Sequence, residues 1–140
     1  MRPPEDDRAI AILRERVPEF ESAYRDLLEI FDEDLTAQVV FNELAEFVTS
    51  LFEEAEDEEV LERCFEALEQ VASEPEGTTL VAFCFFDHLP GWALESSRSY
   101  LHPVSETIVE MLDEDLIADD DDSARLVAER LAHRLRTETS

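Results

Sequence analysis

Lysine is absent from this sequence, and basic side chains of any kind are scarce. Eleven arginines face 37 acidic residues, which gives a formal net charge of -26. Proteins hold nucleic acid and anionic membranes with Lys and Arg side chains, which displace counterions from phosphate groups. Direct binding to either is therefore the least expected function. The same negative field attracts basic proteins and speeds their approach.

Glycine, cysteine and long apolar runs are also scarce. Two Gly and six Pro among 140 residues favour helices with short connections. Cys64 and Cys84 do not make a disulfide framework, and each has apolar neighbours typical of a buried thiol. The opening "MRPPEDDRAI" lacks the apolar region of a signal peptide, and no run approaches 18 apolar residues. We therefore expect a cytoplasmic protein.

Apolar residues are plentiful and follow helical spacing. They make up 44% of the chain and include nine Phe, enough for one sizeable core. We expect a single domain over residues 1–140, with a short acidic linker at 117–122 before a C-terminal helix. That helix carries four of the eleven arginines. The predicted fold class is all-α, an irregular bundle or stacked hairpins of about six to seven helices.

One stretch is ambiguous, because "LVAFCFF" at 80–86 is continuously apolar. Such a run forms either a buried strand or a buried helix, and periodicity does not separate the two. We predict a helix, since no second strand-like run is present to pair with it. The predicted core residues are Phe41, Leu44, Phe47, Leu61, Phe65, Leu68, Phe83 and Phe85.

The chain contains a short internal echo. "LLEIFDEDL" at 27–35 resembles "IVEMLDEDL" at 108–116. Each copy is the end of an amphipathic helix that runs into an acidic turn. Two copies fall short of a repeat array, which has three or more units, but they are compatible with stacked helical hairpins.

Catalytic and metal-binding patterns are not evident. The three histidines are His88, His102 and His133, and neither a His-Glu-x-x-His zinc motif nor a helical di-iron motif is present. His102 lies four residues before Glu106, a spacing that suits an ion pair or one edge of a metal site. We expect no enzyme, no cofactor and no metal. A metal-dependent helical enzyme, with the three histidines and acids converging in one pocket, is an alternative.

Acidic residues are concentrated in one segment. Residues 53–76 hold eleven acids and a single base, Arg63. Glu58, Glu62 and Glu66 recur at about 6 Å along a helix, and like charges at this spacing repel by about 0.2–0.5 kcal/mol per pair. The predicted partner-binding residues are Glu54, Glu58, Glu59, Glu62, Glu66 and Glu69.

We expect these carboxylates to bind a basic protein, such as a nuclease toxin or another nucleic-acid-binding protein. A row of negative charges can stand in for a nucleic-acid backbone. Trp92 and Tyr100 are the predicted apolar anchors. The alternatives are a solvated helix face or a salt-adapted surface with no binding role.

Three stretches resemble a family of small, acidic, uncharacterised bacterial proteins. They are "RVPEFE" (16–21), "LTAQVVFNELAEFV" (35–48) and "VAFCFFDHLP" (81–90), and the similarity runs from about residue 13 to residue 116. Members of this type resemble immunity proteins, which are encoded beside toxins and block them by binding. The resemblance therefore implies an acidic immunity or inhibitor protein. It transfers no catalytic residues, and the oligomeric state stays open.

Overall fold

The computed structural model describes residues 4–55, 57–114 and 123–139, which form eight α-helices and no strand. The helices are α1 (Pro4–Arg16), α2 (Glu21–Phe31), α3 (Ala37–Ser50), α4 (Glu58–Ala72), α5 (Pro75–Thr79), α6 (Gly91–Ser97), α7 (Pro103–Asp113) and α8 (Ser123–Thr139). The all-α prediction is confirmed, with one helix more than the upper number expected. The predicted linker at 117–122 lies outside the described residues.

Helix starts follow from local chemistry. The hydroxyl of Thr36 accepts the Val39 N–H at the start of α3, and the carboxylate of Asp57 accepts the Val60 N–H at the start of α4. These bonds satisfy backbone donors that have no partner inside the helix. Proline occupies the first turn of α5 and α7, where its missing N–H is not needed.

The ambiguous apolar run is helical, as predicted, but irregular. Residues Leu80–Phe85 form a π-helical segment that continues from α5, and Phe86–His88 add a turn of 3-10 helix. The π-helical segment packs along α3 and also contacts α4, α5 and α7. Because it is covered from several sides, it has no polar face, and this explains why its sequence shows no helical period.

The core runs between α1, α3, α4 and the 80–86 segment. Six of the eight predicted core residues are buried, namely Phe41, Leu44, Leu61, Phe65, Leu68 and Phe85. Phe47 and Phe83 are only partly buried but pack against the same cluster. Phe47 meets Phe20 edge to face, with ring centroids 5.5 Å apart. The core predictions are therefore confirmed except at Phe47 and Phe83, which lie at the edge of the core.

Helix α4 packs against α1, α5 and α7. Its apolar face, including Leu61, Phe65 and Leu68, is buried, whereas Glu58 and Glu62 are exposed. This division is the amphipathic arrangement that the apolar spacing predicts. Among the described residues, no helix has the length and apolar character needed to cross a membrane.

Candidate functional site

A groove of about 370 Å³ lies between α4 and the chain segment that leads into α7. One wall is made by Glu58, Glu62 and Glu66, which follow each other by one helical turn. The other wall is residues 99–102. We call this feature the acidic groove, and its lining is Glu58, Glu62, Glu66, Ser99, Tyr100, Leu101 and His102. Three of the six predicted binding residues thus share one concave surface.

Aromatic packing fixes the wall opposite the glutamates. The ring of Tyr100 stacks on Phe65 of α4, with centroids 5.6 Å apart and planes 18° apart. Phe52 approaches the same tyrosine at 6.0 Å. A second cavity of about 260 Å³ shares Glu58, Ser99 and Tyr100 with the acidic groove and adds Phe52 and Leu61. The carboxylates are therefore bordered by apolar surface.

The negative charge of the groove is poorly compensated. Neither Glu58 nor Glu62 has an ion-pair partner among the residues that the structure describes. Glu66 Oε2 lies 3.8 Å from Arg16 Nη1, and the Nε of Arg16 donates to Gln70 instead. Both side chains of that pair are nearly half exposed, so solvent weakens their attraction.

Two other predicted residues lie away from the groove lining. Glu54 is exposed in the π-helical segment Leu51–Ala55 that precedes α4. Glu59 belongs to the side of α4 where Arg63 binds Glu19 through both carboxylate oxygens. The pKa of Arg63 is raised chiefly by the hydrogen bond to Glu19, with smaller contributions from the charges of Glu19 and Glu59.

The sixth predicted residue, Glu69, holds α7 in place. Its two carboxylate oxygens accept the backbone N–H of Val104 and of Ser105, each at 2.8 Å, and the Ser105 hydroxyl at 2.7 Å. The residue preceding α7, His102, provides no side-chain cap. A carboxylate from α4 therefore caps the N-terminus of α7, where orphan N–H groups and the helix dipole favour negative charge. Glu69 therefore takes part in holding the fold, and only Glu58, Glu62 and Glu66 of the six predicted residues line the groove.

The three histidines lie on different elements. His102 lines the acidic groove, His133 lies on α8, and His88 borders an open cavity of about 460 Å³. The last cavity also contains Glu46 and Thr49, whose hydroxyl donates to the Ala45 carbonyl. Within the described ranges, no three His, Cys, Asp or Glu side chains are grouped to hold a metal ion.

The cysteines have different surroundings. Cys64 is fully buried, and burial raises the pKa of its thiol to about 12. A thiol with so high a pKa carries almost no thiolate at neutral pH and is unreactive. Cys84 is only half-buried, where the apolar run around it predicted full burial.

Sequence reasoning found one wall of the groove and missed most of the other. Tyr100 was predicted as an anchor and lines the groove, whereas Trp92, which is 46% exposed, is not among the lining residues. Ser99, Leu101 and His102 form no motif, and they meet α4 only because the chain folds back over more than 30 residues. No local sequence signal identifies such a contact.

Comparison with known proteins identifies the class to which this helical domain belongs. Residues 10–114 match the model of the family described as a domain of unknown function (DUF7674), and the chain is a member of that family. The matched residues include all of α2 to α7 and stop before α8. Searches of curated proteins and of solved structures found no match.

Proposed function

We propose that this protein is a stoichiometric inhibitor or immunity protein that captures a basic protein partner in the acidic groove. The observation that carries this proposal is the convergence of Glu58, Glu62 and Glu66 on one groove without a strong cation from the chain itself. Their mutual repulsion disfavours the free protein slightly. A cation supplied by a partner relieves that repulsion on binding.

The groove suits an arginine or lysine side chain. Such a side chain has a charged head and an apolar stem. The head meets the carboxylates of Glu58 and Glu62, while the stem lies against Tyr100 and the neighbouring Leu61. The face of a tyrosine ring also attracts a cation, by roughly 0.5–1 kcal/mol at an exposed site.

The partner class follows from this charge. Proteins that bind nucleic acid present arginine and lysine to phosphate groups, and a row of carboxylates competes for the same surface. A nuclease toxin or another nucleic-acid-binding protein is therefore the partner that we propose, with the protein acting in the cytoplasm. The charges act mostly on the association rate and on partner choice, and the apolar wall at Tyr100 supplies the anchor.

The test is capture of the partner by purified protein. The tagged protein is used to co-purify its partner from the native host, and the recovered partner is then titrated against variants. Replacing Glu58, Glu62 and Glu66 together by Lys is expected to abolish capture while the helical circular dichroism is retained.

The matched control changes the net charge equally at exposed acids on other elements. Glu15→Lys, Glu46→Lys and Asp87→Lys together remove the same number of negative charges outside the groove. We expect this control to keep most of the affinity. Equal losses in both variants would mean that overall charge, and not the groove, holds the partner, and the proposal would then be rejected.

A further inference from the structure

Each copy of the internal echo includes the end of an α-helix. Residues 27–31 of "LLEIFDEDL" form the end of α2, and residues 108–113 of "IVEMLDEDL" form the end of α7. In this alignment Glu29 corresponds to Glu110, Ile30 to Met111 and Glu33 to Glu114.

The copy on α7 is covered by α8. Arg130 places Nη2 2.9 Å from Glu110 Oε1 and Nη1 2.8 Å from Glu114 Oε2, so one guanidinium joins both carboxylates. Met111, between them in sequence, is only 3% exposed, and Val127 of α8 is 2% exposed. This copy therefore works as a docking surface for an amphipathic helix that carries arginine.

The copy on α2 is bare. Ile30 is 73% exposed and Phe31 is 38% exposed. Glu29 and Glu33 are exposed too, and neither has an ion-pair partner in the part of the chain that the structure describes. The copies differ in backbone at Asp32, whose φ of 48° turns the chain away directly after α2.

We propose that the end of α2 is a second docking surface, which takes an arginine-bearing amphipathic helix from the basic partner. The partner's arginine pairs with the exposed carboxylates of Glu29 and Glu33, and its leucine or valine side chains cover Ile30 and Phe31. A second copy of this chain is disfavoured, because its own α8 already covers α7 and two molecules of formal charge -26 repel each other. This inference adds a surface to the proposed function and does not use the acidic groove.

The probe is a synthetic peptide with the sequence of residues 123–136, "SARLVAERLAHRLR", which is the type of helix that the α7 copy binds. It is titrated into the full-length protein by calorimetry, with a scrambled peptide of equal composition as the control for charge. We expect the native peptide to bind at least tenfold more tightly than the scrambled one. Hydrogen exchange should show new protection at residues 24–35.

Variants locate the binding surface. Ile30→Ser is expected to weaken the peptide about tenfold, since it removes one apolar anchor, and Glu29→Gln with Glu33→Gln is expected to weaken it similarly. Asp87→Asn, at an exposed acid elsewhere, should leave the affinity for the peptide unchanged.

Protection on α7, dimerisation through Ile30, or full affinity in Ile30→Ser would each overturn the inference. The triple variant Glu58→Lys, Glu62→Lys and Glu66→Lys should bind the peptide as well as its charge-matched control does, so the two proposals fail independently.

Discussion

The two ends of α4 use glutamate in opposite ways. Near the C-terminal end, Glu69 accepts three hydrogen bonds from the first turn of α7 and is partly buried. Near the N-terminal end, Glu58 and Glu62 are exposed, and they have no ion-pair partner within the described ranges. The acidic stripe looks uniform in sequence, yet its neighbours divide it into one carboxylate that holds the fold and others that face a groove.

The largest expected effect tests the fold end of this comparison. Glu69→Ala leaves the N–H groups of Val104 and Ser105 without their partner, so we expect the free energy of unfolding to fall by about 2–4 kcal/mol. Urea denaturation followed by circular dichroism measures it. The matched control is Glu62→Ala, an exposed glutamate on the same helix. Its free energy of unfolding should stay within about 0.5 kcal/mol of the parent value. If both variants lost the same free energy of unfolding, Glu69 would hold the fold no more than Glu62 does.

Two glycines test how tightly the C-terminal end of α4 is packed. A Cβ added at Gly77 would clash with the backbone carbonyl of Val71 in the last turn of α4, whereas one added at Gly91 meets nothing within 4 Å. We expect Gly77→Ala to lower the free energy of unfolding by about 1–3 kcal/mol, as overpacking does. Gly91→Ala should be neutral or slightly stabilising. A tolerated alanine at 77 would show that the end of α4 is loosely packed.

Two glutamates on α3, Glu43 and Glu46, lie close together, and their proximity affects a pKa. On α3, the pKa of Glu43 is raised by partial burial first, then by its hydrogen bond to Glu46 and by the charges of Glu46 and Asp26. A raised pKa means that the folded state binds the proton more tightly than the unfolded state does. The folded state is therefore favoured at low pH, and this contribution is lost as the pH rises from 4.5 through the raised value.

Glu43→Gln removes this dependence. We expect the variant to gain stability relative to the parent as the pH rises above 4.5, and to hold the gain at pH values above the raised pKa of Glu43. Urea titrations at a series of pH values between 4 and 7 measure the difference. If the difference in the free energy of unfolding between parent and variant does not change with pH, Glu43 has the same pKa in the folded and the unfolded state.

The sequence predicted what depends on local pattern. Helical spacing identified α2, α3, α4 and α7, and six of eight core residues are buried where apolar periodicity placed them. The acidic row Glu58, Glu62 and Glu66 also followed from spacing alone, because residues four apart lie on one helix face. Prediction succeeded wherever a single helix contains the whole signal.

The features that the sequence did not predict are contacts between distant segments of the chain. Nothing near Glu69 in sequence indicates that its carboxylate caps a helix 35 residues away. The wall at 99–102 has no motif. Ile30 is exposed whereas its counterpart Met111 is buried, although the two stretches resemble each other. In each case the tertiary neighbour decides the role, and a neighbour cannot be found from local composition.

The central claim is that the groove carboxylates keep a repulsion in the free protein that a basic partner relieves. It is tested most directly by replacing Glu58, Glu62 and Glu66 together with Gln, then measuring stability and partner affinity on the same sample. We predict that the free energy of unfolding rises by about 0.5–1 kcal/mol while the affinity for the co-purified partner falls at least tenfold. Unchanged stability together with unchanged affinity would contradict the account.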